Sequence, residues 1–331
     1  MKKIGILTFF DADNYGALLQ CFALSTFCEN NGCEAKVIKY HSKKMFTWKH
    51  RMKNIVAKTE QHKKFNHNRR NFFKCGNLKE KYDVVIVGSD QVWNPSIIKN
   101  DKFWIEPVLH YDKLISYAAS IGKGKLSDSE ETFLRTCEFS KYNWISVREK
   151  TGKILLKKIG VESEVVCDPT LLFYDKQKVY NDIIMKSRLK KNNYIFVYSL
   201  EKSEKIDEIS SLLADKYGYS IISAHPANDR TQLCDEFIMD SDICDFLYLI
   251  KNAKMVVTNS FHGLVFSFIF KKAVFSVCHT TLGARQTDLI EESGLDYEHY
   301  KDVYYIHSYI NDKKMKDYIT KSRLLLKKEL T

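Results

Sequence analysis

The sequence predicts an α/β protein of two Rossmann-like domains facing a cleft, finished by a closing C-terminal helix. Three observations predict it. Short β-rich runs alternate with helical periods, which argues for parallel sheets covered by helices. The alternation breaks between Pro169 and Asn193, where the sequence turns polar and poorly periodic, and then restarts. The 331 residues exceed one ordinary core and suit two domains of about 150 residues each.

In the first run, strands are expected at Lys3–Phe10, Glu34–Tyr40, Tyr82–Gly88, Lys113–Ser120, Tyr142–Val147 and Glu164–Cys167. Helical stretches at Ala17–Asn30 and Thr151–Ile159 are each closed by a glycine, Gly32 and Gly160, in the manner of a C-cap. In the second run, strands are expected at Tyr194–Ser199, Tyr219–Ala224, Met255–Asn259 and Val274–Val277. Helices are expected at Ile206–Lys216, Ile243–Asn252 and Leu264–Phe270. The expected domains are 1–175 and 176–331. From Asp302 onward, Met315, Ile319 and Leu326 follow a helical period without Gly or Pro, as in a helix packing back on one domain. Its lysine-rich face suits a membrane surface as the competing reading. Two facing Rossmann-like halves make the GT-B-like arrangement. An α/β barrel of similar length competes with it, but the mid-chain break favours two domains.

Composition narrows the class. Apolar residues make up 44% and charged residues 28%, the balance of a soluble globular chain. The run Ile4–Leu7 behind Lys2 and Lys3 ends at Asp11 and Asp13 with no small-residue cleavage site, so it reads as a first strand rather than a signal peptide. Nine scattered cysteines without a CxxC pair read as reduced thiols in a cytoplasmic protein, with no metal-ligand cluster. The net charge of +11 is uneven: residues 36–81 hold 15 Lys/Arg against Glu60 and Glu80, leaving the rest at −2. A basic helical excursion over 41–81 invites an anionic partner, with a solvated helix as the plainer alternative.

In open α/β folds, ligands sit beyond the carboxyl ends of the strands. Four such ends are polar or glycine-bearing. The first is Asp13-Asn14-Tyr15-Gly16, where an N-cap explains one residue and Gly16 lets backbone approach a ligand. The second is Ser89-Asp90-Gln91-Val92-Trp93, where Trp93 is either a sugar platform or a core residue, and Asp90 and Gln91 suit hydroxyls. The third holds Arg148, whose fork of donors suits phosphate or carboxylate unless it pairs with Glu149. The fourth is Asn259-Ser260-Phe261-His262-Gly263. Ser260 and the helix start suit an anion, and a histidine in such a turn suits proton donation near neutral pH. Arg285 opens a further helix and suits a second anion clamp.

Six strings occur in order: ADNYGALLQ from Ala12, GSDQVWNP from Gly88, SYAASIG from Ser116, ISVRE from Ile145, DPTLL from Asp168 and NSFHG from Asn259. Together they resemble the polysaccharide pyruvyl transferase family across nearly the whole chain. The resemblance implies a GT-B-like fold, phosphoenolpyruvate as donor substrate and no cofactor. It places the family histidine on His262 and the donor-holding arginines on Arg148 and Arg285. Relatives carry an arginine two residues before that histidine, where this chain has Ser260. The charge of the basic excursion, and not the resemblance, suggests an anionic or lipid-linked sugar as acceptor, reached at the inner membrane face, rather than nucleic acid. Two other functions remain open from the residues alone. One is a nucleotide-sugar glycosyltransferase on the same fold. The other is a non-enzymatic binder of nucleic acid or anionic surfaces, with Phe65, Phe72 and Phe73 among the basic residues.

Overall fold

A computed structural model describes residues 1–41, 60–227, 230, 232–280 and 283–331. Residues 42–59 of the expected basic excursion lie outside the described residues. In the first half, β1 (Lys3–Leu7), β2 (Glu34–Ile38), β3 (Cys75–Gly76), β4 (Lys81–Val87) and β5 (His110–Ser116) form an all-parallel sheet in the order β3-β2-β1-β4-β5. The central strands read as continuous apolar runs, as in Val84–Val87, because helices cover both faces. A short parallel pair, β6 (Ser146–Val147) and β7 (Glu164–Val165), continues from β5 through bridges Ile115–Trp144 and Ala119–Val147.

The second half repeats the plan. Strands β8 (Tyr194–Tyr198), β9 (Ser220–Ala224), β10 (Glu236–Ile238), β11 (Met255–Thr258), β12 (Ala273–Val277), β13 (Tyr297–Tyr300) and β14 (Val303–Ile306) form one sheet, ordered β10-β9-β8-β11-β12-β14-β13. It is parallel through β12, and the β13–β14 hairpin adds an antiparallel edge. This corrects one expectation. The chain after Asp302 is not helical throughout; Val303–Ile306 alternates between half-buried and buried positions as a strand, and the helix starts at Lys313.

The helix Tyr15–Asn30 joins the halves. It is apolar nearly all round, and helices of that kind are buried on every side. Leu18, Leu19, Cys21, Ala23, Leu24 and Cys28 are all fully buried. Tyr15 stacks on Phe65 at 5.6 Å and on Phe246 at 4.7 Å, and shares a 2.6 Å hydrogen bond with Ser241. A single apolar cluster therefore runs from Ile4 and Ile6 in the first sheet to Phe196 and Val256 in the second. The described part of the basic excursion, helix Glu60–Phe72, lies in the same seam. Phe65 is fully buried, and Gln61 Nε2 donates to the carbonyls of His225 and Ser241, both at 2.9 Å. The C-terminal helix Lys313–Leu330 returns to the connector between the sheets: Ser322 Oγ accepts from Cys167 N at 3.0 Å, and Arg323 grips the Leu172 carbonyl and Asp175. Among the described residues no helix is long and apolar enough to cross a membrane.

Candidate active site

Three of the sequence-predicted residues come together where the strand ends of the two sheets meet. Asn14 caps the helix Tyr15–Asn30, its Oδ1 accepting from Ala17 N at 3.1 Å, so Gly16 stands in the first turn. From the other half, Ser260 caps the helix Phe261–Ile269 and sets His262 in its first turn. The two turns touch. A Cβ placed on Gly16 would lie 2.0 Å from Nδ1 and 2.4 Å from Cγ of His262. Position 16 must be glycine because the imidazole occupies the space a side chain needs. Gly16→Ala is expected to push the imidazole aside and cut turnover about 100-fold, the scale of an ångström-level misplacement. Steady-state kinetics beside an unchanged circular dichroism spectrum checks this.

Arg148 leaves β6 and reaches Asp168, which follows β7. Both are buried, and Arg148 Nη1 donates to Asp168 Oδ2 at 2.9 Å. The neighbouring Glu149 is the poorer partner, 3.8 Å from Arg148 Nε. Its Oε1 instead accepts from Ser120 Oγ and from the Ile121 and Gly122 amides at 2.9–3.1 Å, which pins that loop. Burial opposes the charge of Arg148, yet Asp168, Glu149 and Asp90 hold its pKa above the ordinary value. Burial likewise opposes the charge of Asp168, yet His262, Arg148 and Thr170 keep its carboxyl well below the usual range. Both groups are ions in the native protein.

Arg285 comes from the first turn of helix Ala284–Ser293. Its guanidinium lies 5.7 Å from the Phe261 ring centre, and that of Arg148 lies 4.3 Å from the same ring. Burial first, and then the charge of Arg148, push the pKa of Arg285 down to about 10. It remains a cation at neutral pH, but one held at a cost.

Arg148, Arg285, Asp168, Phe261 and Lys150 line a cavity of about 10 Å³, room for roughly one water. Among the described residues, Nε and Nη2 of Arg148, Nε of Arg285, Oε2 of Glu149 and Nε2 of His262 are buried without a hydrogen bond. Buried polar atoms are ordinarily satisfied, and unpaired ones are costly. Orphaned N–H donors on two arginines beside one cavity are what an anion would satisfy.

Of the remaining expected residues, Gly16, Ser89 and Ser260 support the cluster and most of the others are engaged elsewhere. Trp93 is fully buried, edge-on to Phe139 and Tyr142, with Nε1 donating to the Trp104 carbonyl at 3.2 Å. It offers no face to a sugar, because its aromatic neighbours fill both the ring's edge and its surroundings. Tyr15 is equally enclosed, in the seam between the halves. Asp13 binds Arg69 and His62, each at 2.5 Å. Asn259 stitches two strand exits, accepting from Leu200 N and donating to the Glu201 carbonyl. Gln91 braces Gly122, whose missing Cβ would lie 2.1 Å from Gln91 Oε1. Gly263 is small because Thr258 Oγ1 would sit 2.4 Å from a Cβ there, and Ser260 Oγ accepts from Gly263 N at 3.4 Å as a cap. Ser89 donates to Asp168 at 3.2 Å, and Asp90, at φ 71°, stands half-buried at the cleft. Sequence reasoning gave no role to Asp168 or Phe261. Their signal was an aspartate before proline at a strand end, and an aromatic beside the histidine.

Two facing parallel sheets, with charged residues gathered between their carboxyl ends, define a GT-B-like α/β fold. The S. aureus MnaA–UDP structure is similar to it at a TM-score of 0.51 and 14% identity, covering 100% of this chain and 90% of that one. UDP-GlcNAc 2-epimerase from Neisseria meningitidis, bound to UDP-GlcNAc, gives a TM-score of 0.46 at 11% identity, covering 99% and 92%. E. coli heptosyltransferase WaaC with ADP gives 0.40 at 13%, covering 86% and 89%. No curated protein matches the sequence. The sequence profile of the polysaccharide pyruvyl transferase family matches residues 14–278. The chain belongs to that family and is a polysaccharide-modifying transferase.

Proposed function

We propose that the protein transfers the enolpyruvyl group of phosphoenolpyruvate to a sugar of a lipid-linked glycan precursor, forming a pyruvate ketal. The observation that carries this reading is the pair of arginines with unsatisfied buried donors beside His262. Phosphoenolpyruvate presents a phosphate and a carboxylate, two anions for two guanidinium groups. Held there, its methylene carbon takes a proton from His262, and a sugar hydroxyl bonds to the adjacent carbon. A second hydroxyl of the same sugar then forms the other C–O bond as the C–O bond to phosphate breaks. Of the two hydroxyl protons released, one restores His262 and the other leaves with phosphate. Asp90, half-buried at the exit of β4, accepts the first and returns it to His262. No resident metal or cofactor enters the scheme.

The acceptor reading rests on the helix Glu60–Phe72. Lys63, Lys64, Asn66, His67, Arg70 and Asp242 line an open groove of about 480 Å³. Arg69 is excluded from this face: it is buried, with Nε on the Phe10 carbonyl and Nη2 on Asp13. Changing Lys63, Lys64 and Arg70 together to glutamine is expected to raise the acceptor KM roughly tenfold, the order expected of rim charges. The KM for phosphoenolpyruvate should stay put. Loss of the salt dependence of acceptor KM is the accompanying sign.

The whole reading is tested by following phosphate release from phosphoenolpyruvate with and without lipid-linked or free saccharide acceptors. Acceptor-dependent release with a ketal methyl signal in the product is expected. Transfer from a nucleotide sugar, with phosphoenolpyruvate inert, would refute it.

A further inference from the structure

Asp168 is the atom-level junction of the site, and its two oxygens do different things. Oδ1 accepts from Thr170 N at 3.0 Å and from Thr170 Oγ1 at 2.6 Å, holding the turn Pro169–Phe173. That is a local cap and needs no charge. Oδ2 serves the site. It accepts from Arg148 Nη1 at 2.9 Å and Ser89 Oγ at 3.2 Å, and it lies 3.7 Å from His262 Nε2. The last separation is too long for a hydrogen bond but close enough for the carboxylate to act on the imidazole electrostatically. Arg148 and Asp168 come from the first half of the chain and His262 from the second.

We propose that Asp168 is the positioning residue of the site, its Oδ2 aiming Arg148 at the donor anion and seating the His262 imidazole beside it. One prong of the guanidinium fork is fixed on Oδ2, which leaves Nε and Nη2 without hydrogen-bond partners among the described residues, at the wall of the arginine-lined cavity. A planar guanidinium tethered at one nitrogen has its remaining N–H directions set. The same oxygen faces the imidazole that Gly16 backs from its other side. The carboxylate thus sets the clamp in one half and the proton donor in the other from one point. This inference rests on the pyruvyl-transfer reading only for the identity of the donor.

Asp168→Asn separates the two oxygens. The amide oxygen still accepts from Thr170, whose two donors fix its orientation, while an NH₂ replaces the acceptor at Oδ2. We expect phosphoenolpyruvate turnover to fall about 100-fold, as for a misplaced reacting group. In a His262→Ala background the same change should cost only about tenfold, the share carried through Arg148, since residues acting as a unit are non-additive. Affinity for inorganic phosphate, read by calorimetry, should fall about tenfold in Asp168→Asn and no further when Arg148→Ala is added. A purely structural carboxylate would give additive losses in both cycles, and that result overturns the proposal. If the wild type does not turn over phosphoenolpyruvate, the function reading fails while the phosphate cycle still decides the role of Asp168. Should Asp168→Asn not fold, Ser89→Ala, which removes one donor to Oδ2, takes its place with a several-fold loss expected in the same cycles.

Discussion

Replacing His262 by alanine is expected to lower kcat by about 10² to 10⁴, the contribution of a positioned general acid, while the protein still folds. The imidazole is buried, but its Nε2 makes no hydrogen bond among the described residues, and its other face lies against Gly16. Removing it takes one favourable neighbour from the buried Asp168, which keeps Arg148, Ser89 and Thr170, so the thermal midpoint should fall modestly while the fold persists. The loss should appear in kcat, with the KM for phosphoenolpyruvate little changed, because the arginines hold the donor. Single-turnover rates set against thermal unfolding curves check both halves. Full activity in His262→Ala would remove this residue from the reaction.

The two arginines are expected to differ in sign of effect on stability. Arg148→Ala leaves Asp168 as a buried, unneutralised carboxylate, and breaking a buried pair in this way costs about 3–5 kcal/mol. Arg285 has no carboxylate at hydrogen-bond distance among the described residues. Burial and the like charge of Arg148 oppose its cation, as its lowered pKa of about 10 records. Arg285→Ala is therefore expected to raise the midpoint of the free protein, and yet to abolish stabilisation by the donor. Such a residue is retained for function against stability. Unfolding curves of both variants with and without phosphoenolpyruvate make the comparison. A large destabilisation by Arg285→Ala would mean that its charge is satisfied in the free protein.

Much of this architecture is legible in the residues. The alternation of short β-rich runs with helical periods marked the parallel sheets, and the glycine-bearing strand exits pointed to the cleft. His262, Arg148 and Arg285, chosen from three separate stretches, lie in one cluster. What escaped was decided by packing across long separations. Trp93 and Tyr15 stand beside polar residues, so sequence alone left their faces open. In the folded chain, aromatic partners far away in sequence enclose them: Phe139 and Tyr142 for Trp93, Phe246 for Tyr15. Asp168 entered the sequence reading only as the first residue of the DPTLL string, and one of its oxygens caps the turn that follows. Its second oxygen acquires a role only because Arg148 and His262 arrive from elsewhere. The hairpin β13–β14 carries no internal glycine or proline, and its pairing to β12 is tertiary. No local signal separated it from the helix beyond.

The central claim, that the buried arginine pair is a phosphoenolpyruvate clamp, is tested most directly by thermal unfolding with phosphoenolpyruvate, inorganic phosphate and a panel of nucleotide sugars. A ligand at 100 times its Kd adds about 2.7 kcal/mol, a readable rise. The account predicts stabilisation by phosphoenolpyruvate beyond that by phosphate, absent in Arg285→Ala. Stabilisation by a nucleotide sugar with none by phosphoenolpyruvate would contradict it.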